Sequence, residues 1–340
     1  MKVRVLQIGA GSMGMRRLRD FTARGDVELA LFDIRQDRRK RVENHFGIKT
    51  FEDFNNALEW NPDALSISTP PDKHHEYVKL ALEKGFHSFS EANIWTYDYQ
   101  EVEKTSKEKA LVTVASSSLI TLPVVESLKR VVTDELGDLH VYSMNLSTYL
   151  PTWHPGEGRE YYARSRETTA AREMVPFELG YLNEVFGVPN AVAGYVGKRG
   201  SLLEGQEDTW CLQGKLNNGA AGQITVTMGC PVLLRKGWAC GTNGYIEFDI
   251  STGEIYKRFP EKGIEEKACY GDIREVLEKN YYLEISNFIE SIKGLKRKCF
   301  TYRQSAVSTA VLAAAEKSAV TGCIEQVDIN LQPAMVPDQY

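Results

Sequence analysis

The chain has 340 residues, 42% hydrophobic and 26% charged, which is an ordinary folded composition with length for two domains. Lys plus Arg is 41 and Asp plus Glu is 46, a formal charge of −5 with no concentrated basic block, which argues against a nucleic-acid partner. No apolar run approaches the roughly 18 residues needed to span a bilayer, so no membrane segment is expected.

Val3 to Ile8 is a β-branched run that reads as a buried strand. It enters Gly9-Ala10-Gly11-Ser12-Met13-Gly14, and Met15 to Arg24 has helical spacing. Glu28 to Phe32 is the next strand, ending in Asp33, and Gln36 to Phe46 favours helix. Phe51 to Trp60 reads as a short helix, Ala64 to Ser68 as a strand, and Lys73 to Lys84 as a helix stopped by Gly85. His87 to Ser90 is a strand leading to Glu91, Tyr99 to Lys109 a helix, and Leu111 to Ala115 a strand. Alternating strands and helices predict a doubly wound parallel sheet, a Rossmann domain over residues 1–120.

That context gives the glycines their meaning. Gly9 permits a tight turn after the first strand. Gly11 lets the backbone approach a pyrophosphate at the helix N-terminus, and Gly14 allows close helix–sheet packing. Ser12 and Met13 lie between them. Asp33, at the end of the second strand, can accept from the adenosine ribose hydroxyls. Its charge repels a 2′-phosphate, so NAD is preferred to NADP. Arg35 and Arg38 are either surface residues or phosphate contacts that would admit NADP.

From His140 the helix–strand alternation weakens. Strands are expected at His140 to Ser147, Ala191 to Val196, Thr209 to Leu216, Ala221 to Met228 and Tyr245 to Ile250. Asn217-Asn218-Gly219 marks a hairpin between two of them. Helices return at Ser286 to Lys293 and Ser305 to Thr321. An α+β domain with a large, mostly antiparallel sheet is predicted over residues 121–340, with helices on one face. Cys211, Cys230, Cys240, Cys269, Cys299 and Cys323 contain no C-x-x-C pair, so neither zinc nor a redox motif is expected. Reduced, mostly buried thiols in a cytoplasmic protein are expected, and the short apolar run after Lys2 and Arg4 does not make a signal peptide.

The chain resembles the Gfo/Idh/MocA oxidoreductase family along nearly its whole length. The marks are the glycine turn, Ser68-Thr69-Pro70-Pro71-Asp72-Lys73-His74, and Ala81-Leu82-Glu83-Lys84-Gly85-Phe86-His87 leading to Glu91. The resemblance implies that the loop of Ser68, Thr69 and Pro70 lines the nicotinamide side, with His74 nearby. His74 also has a plainer reading, a helix-start residue bonding its own backbone.

Two departures concern the chemistry. The family's Glu-Lys-Pro motif, whose Lys is usually catalytic, reads Glu91-Ala92-Asn93 here. The family's Asp-x-x-x-His-x-x-Asp pattern falls on Glu173, Phe177 and Gly180, one helix face on which only the first keeps a carboxylate. Glu178 lies about 140° round the helix from Glu173, so the two do not form an acid–base pair.

Tyr149-Leu150-Pro151-Thr152-Trp153-His154-Pro155 and Arg172-Glu173-Met174-Val175-Pro176-Phe177-Glu178-Leu179 resemble members associated with bacterial surface-sugar biosynthesis. Trp153 suits a sugar face, and Arg159 and Arg172 suit hydroxyl, carboxylate or phosphate groups. His154, Glu173 and Tyr162 are the candidate proton-transfer groups, with Tyr161 a further polar aromatic. Each has a structural alternative: Trp153 as core, His154 as a loop cap, Arg172 and Glu173 as an ion pair.

The expected function is hydride transfer between NAD and a secondary hydroxyl or keto carbon of a sugar or sugar derivative. The alternatives are an epimerase or eliminase that keeps NAD tightly bound, and a non-catalytic nucleotide- or sugar-binding scaffold. No metal is expected. The family resemblance implies a homodimer or homotetramer through the sheet.

Overall fold

A computed structural model describes residues 2–94, 98–149, 170–199 and 207–329. Trp153, His154, Arg159, Tyr161 and Tyr162 lie outside the described residues.

The first elements are β1 (Val3–Ile8), α1 (Ser12–Arg24), β2 (Val27–Phe32), α2 (Gln36–Phe46), β3 (Lys49–Phe51), α3 (Phe54–Glu59) and β4 (Ala64–Ile67). They continue with α4 (His74–Lys84), β5 (His87–Ser90), α5 (Tyr99–Glu108) and β6 (Thr113–Ala115). All six strands pair in parallel, in the order β3-β2-β1-β4-β5-β6. β1 and β4 are buried along nearly their whole length, which is why apolar residues fill most of their positions on both faces. The order reverses between β1 and β4. Their carboxyl ends, Ile8 and Ile67, therefore open the switch-point crevice where such sheets place ligands.

The later elements are α6 (Pro123–Arg130), β7 (Leu139–Tyr149), α7 (Ala170–Phe186), β8 (Pro189–Gly197), β9 (Thr209–Leu216) and β10 (Ala221–Thr227). Then come β11 (Gly229–Gly241), β12 (Gly244–Asp249), β13 (Glu254–Phe259), β14 (Ile264–Cys269), α8 (Ile273–Ile292), α9 (Tyr302–Thr321) and β15 (Glu325–Gln326). Nine strands form one sheet in the order β14-β13-β12-β11-β7-β10-β9-β8-β15. Every pair is antiparallel except β7 with β10. The predicted hairpin is present: β9 and β10 pair through Asn217–Gly219, and Gly219 has a φ of 89° that favours glycine. α7 covers this sheet, its Phe186 ring stacked on Tyr142 of β7 at 4.2 Å.

The chain divides into two compact units, Met1–Ser118 with Glu278–Ser305, and Leu119–Leu277 with Ala306–Tyr340. The first unit thus takes in a later segment besides the residues up to about 120. Ile285, Phe288 and Ile289 of α8 share one core with Val3, Val5, Phe21 and Phe89, so apolar burial draws this later segment into the first unit.

The cysteine expectation needs correction. No cysteine is in a disulfide, but none is fully buried, and Cys269 and Cys323 are exposed. Among the described residues no helix is long and apolar enough to cross a membrane, and no group of His, Cys, Asp or Glu could hold a metal.

Candidate functional site

The glycine turn joins β1 to α1, and its three glycines are required for different reasons. Gly9 has a φ of +85°, and a Cβ there would meet the Ser68 carbonyl oxygen at 2.6 Å. A Cβ on Gly14 would lie 2.1 Å from the Gly9 carbonyl oxygen. Both are glycines because the protein's own backbone leaves no room. Gly11 differs. Its φ of −68° and ψ of −163° suit any residue, and its added Cβ would meet only Arg38 Nη1, at 3.7 Å. Nothing among the described residues demands glycine there, whereas a ligand pressed against the backbone would.

Gly11 is also the N-cap of α1. It offers no side chain to the first-turn N–H groups, and that turn carries no acidic residue. Ser12 and Met13 thus begin a helix whose positive end is open to an anion.

Asp33 is buried beside this turn, 4% exposed. Its Oδ2 accepts from Ala10 N and its Oδ1 from Arg35 N, each at 2.8 Å. A carboxylate oxygen has a second lone pair, so both remain able to accept from a diol. Arg35 points away: it binds Asp37 at 2.6 Å on the surface and holds that carboxyl down to about 2. Arg38 stays close, with Nη1 3.8 Å from Asp33 Oδ2. Arg41, which the motif does not mark, donates to the Ala10 carbonyl at 2.8 Å.

The loop after β4 forms the second wall. Ser68 Oγ donates to Glu91 Oε1 at 3.2 Å. Thr69 Oγ1 is shut off from solvent without a hydrogen-bond partner among the described residues, a polar group for which a ligand is the natural complement. Pro70 leads into the 3₁₀ turn Pro71–Lys73, which delivers His74 to the start of α4.

His74 is buried, with Nε2 2.9 Å from the Thr69 carbonyl and Nδ1 3.1 Å from the Asn93 side-chain amide. Burial pushes its pKa down and keeps the ring neutral, despite the hydrogen bonds that oppose this. A neutral ring has one N–H. The carbonyl can only accept, so the proton belongs on Nε2 and the Asn93 amide must present its NH₂ to Nδ1. Ser90 and Ser305 hydroxyls, each 3.3 Å from the other end of that amide, can donate to its oxygen. His74 thus makes the local backbone bond of its plainer reading while bracing the Thr69 loop.

Glu91 belongs to an ion network. Arg17, fully buried on α1, donates to its two oxygens at 2.6 and 2.9 Å. Arg17 also reaches Ser116 Oγ and Glu284 Oε2, both at 3.0 Å. Burial raises the Glu284 pKa, with Arg17 pulling against it. Arg17 and Glu284 escape motif reading. The available signal for Arg17 is its place in the buried stripe Gly14, Arg17, Leu18, Phe21 of α1. Ala92 is half-buried between Glu91 and Asn93 and has no group for proton transfer.

In the second unit, α7 carries Arg172, Glu173 and Phe177. Arg172 is buried and donates from Nε and Nη2 to Glu316 at 2.7 and 3.1 Å. Glu316 is thus a carboxylate partner of Arg172. Glu173 and Phe177 are half-buried. Glu178 is wholly buried, and Arg235 Nη2 of β11 lies 2.9 Å from its Oε1. Burial raises the Glu178 pKa against the pull of Arg235, and Tyr181 rises for the same first reason.

Residues 3–116 match a family model described as oxidoreductase family, NAD-binding Rossmann fold. The match covers the glycine turn and the Thr-Pro loop in which the family resemblance was read, and it is a match to the NAD-binding Rossmann fold of that oxidoreductase family over this part of the chain. The open helix end, the unfilled space at Gly11 and the unpartnered Thr69 hydroxyl fit that cofactor.

Among solved structures, the chain is similar to the WlbA dehydrogenase of Bordetella pertussis, crystallised with NADH and UDP-GlcNAcA. The TM-score is 0.81 at 20% identity, over 96% of this chain and 98% of that one. An Agrobacterium radiobacter oxidoreductase, in complex with NAD+, L-tartaric acid and magnesium, matches with a TM-score of 0.83 at 14% identity, over 96% and 99%. A levoglucosan dehydrogenase with NADH and levoglucosan matches at 0.83 and 15%, over 96% and 100%. At these identities the likeness is one of fold. Comparison with curated proteins finds no match.

Proposed function

We propose that the protein is an NAD-dependent oxidoreductase acting on a secondary hydroxyl or keto carbon of a sugar or sugar derivative. The observation that carries the reading is Gly11, a glycine required neither by its backbone conformation nor by its neighbours. Bound NAD supplies hydride acceptance and donation at its nicotinamide. The chain's residues do the rest. The first-turn N–H groups of α1 hold the diphosphate, Asp33 selects the unphosphorylated ribose, and the Thr69–Pro70 loop, braced by His74, supports the nicotinamide side.

Proton transfer is the unusual part. Ala92 and Phe177 stand where the family resemblance puts Lys and His, so neither family position handles a proton. His154, Glu173 and Tyr162 are the candidates, each needing to come within about 2.6–3.2 Å of the substrate oxygen or reach it through one water. Trp153, Arg159 and Arg172 are the proposed sugar contacts; the Glu316 partnership of Arg172 makes it the most constrained of them. The solved neighbours named above include proteins crystallised with a nucleotide sugar acid and an anhydrosugar, which supports a sugar ligand.

The test is absorbance at 340 nm with NAD across a panel of sugars, sugar acids and nucleotide sugars. A substrate-dependent rise supports the reading, and no change with any of them contradicts it. The replaced Lys and His positions favour one second reading, in which tightly held NAD is oxidised and reduced within each turnover. Solvent-deuterium incorporation at a sugar carbon without free NADH would mark that case.

A further inference from the structure

Arg172 and Arg235 of the second unit each meet a buried carboxylate, and they are held differently. Arg172 spends its Nε and Nη2 together on Glu316. Arg235 only approaches Glu178 as an ion pair, Nη2 to Oε1 at 2.9 Å, and its Nε is shut off from solvent with no acceptor among the described residues, as are both Glu178 oxygens with no donor. A buried donor without a partner is costly, and guanidinium donors are seldom left that way.

Stability does not account for the arrangement. A buried ion pair adds little over an apolar pair of similar volume. Glu178 is 0% exposed on its side chain and meets no solvent, whereas Arg235 keeps 11%. The arginine is thus the member of the pair that faces outward, and the glutamate fixes it from behind. The Phe177 ring lies 6.0 Å from the guanidinium carbon, and Phe177 and Glu173, one helical turn apart on α7, are both partly open. A fixed cation beside a flat apolar ring matches the anion and the C–H face of a sugar acid.

We propose that Arg235 is a specificity-determining residue that binds an oxyanion of the substrate, a carboxylate or a phosphate, and that Glu178 is its positioning residue. The proposal rests on the sugar reading above, which it narrows to anionic sugars.

The test is calorimetric titration of the full-length protein, with and without saturating NAD, using D-glucuronate, D-glucose 6-phosphate and D-glucose. At least one anionic sugar is expected to bind about ten-fold tighter than glucose, as charge-assisted bonds to a fixed guanidinium imply. Glucuronate or glucose 6-phosphate as the tighter ligand tells carboxylate from phosphate. Arg235→Met alone strands a buried carboxylate, so the comparison variant is Arg235→Met with Glu178→Leu, checked for a cooperative melt. In that variant the preference is expected to vanish. Arg235→Lys is expected to keep part of it, because a point charge replaces the planar fork. Equal binding of all three sugars by the wild type, or a preference that survives in the folded double variant, overturns the proposal. A preference that holds while no sugar changes absorbance at 340 nm would instead sink only the oxidoreductase reading.

Discussion

Arg17 and Glu91 are joined edge to edge, Nε to Oε1 at 2.6 Å and Nη2 to Oε2 at 2.9 Å. The glutamate that the motif ties to the cofactor is thereby an anchor for the helix that begins at the glycine turn. Arg17 faces the Glu284 carboxylate as well, so one cation offsets two buried anions. Arg17→Met would leave both carboxylates without it and should cost about 3–5 kcal/mol, the range for breaking a buried pair. Glu91→Gln should cost less, because Glu284 still holds the guanidinium. Urea unfolding of the three proteins checks the order, and an Arg17→Met loss below that of Glu91→Gln would contradict it.

The contact between Gly14 and the Gly9 carbonyl predicts a different failure. A methyl group at residue 14 would sit 2.1 Å from that oxygen, so α1 must shift away from β1. Gly14→Ala should lower the melting temperature in the absence of any cofactor, at a cost of about 1–3 kcal/mol for an overpacked contact. An unchanged melt would show that the turn is looser than described.

Cofactor choice should follow Asp33 and ignore Arg35. Asp33→Asn removes the charge that opposes a 2′-phosphate, so the NADP-to-NAD affinity ratio should rise by about ten-fold or more. Arg35→Ala should leave the ratio within about two-fold, since that guanidinium is spent on Asp37 at the surface. Fluorescence titration with the two reduced cofactors measures both. A ratio that moves with Arg35 and not with Asp33 would reverse the assignment.

His74 predicts a pH dependence of stability. Burial, the leading cause, depresses its folded pKa below the ordinary 6.5. The unfolded ring therefore takes up a proton first as pH falls. The stability from a neutral His74 is complete above pH about 6.5 and is lost as pH drops below it toward the folded value. His75 and His87 shift in the same direction, so the comparison must be differential. Between pH 7.5 and 5.5, on the order of a pH unit to either side of that ordinary value, wild type should lose more stability than His74→Gln. Parallel losses would mean that the ring titrates alike folded and unfolded.

The sequence carried the first unit further than the second, for physical reasons. β1 and β4 are covered on both faces and are mostly apolar, and α4 stops at Gly85, whose φ of 80° ends the helix cleanly. β11, β13 and β14 were not anticipated. β11 holds Gly229, Pro231, Arg235 and Lys236, and β14 has no buried position, with Glu265, Glu266 and Lys267 exposed in succession, so neither presents a clean strand pattern. α8 was expected from Ser286 but starts at Ile273, because its first turns are largely charged and half-exposed. At the site, the glycines, Asp33 and the Thr69 loop are local motifs and could be read. The Asn93 amide, the Arg17–Glu284 contact and the Arg235–Glu178 pair join distant segments, and no spacing rule points to them.

Titration of NAD into the wild type and Gly11→Ala is the most direct test of cofactor binding at the glycine turn. An alanine at residue 11 suits the backbone and clears every neighbour, the nearest being Arg38 Nη1 at 3.7 Å. The expected result is NAD binding by the wild type, weakened about ten-fold or more in Gly11→Ala, with the two proteins melting alike in the absence of NAD. No NAD binding by the wild type, or equal binding by both proteins, would contradict it.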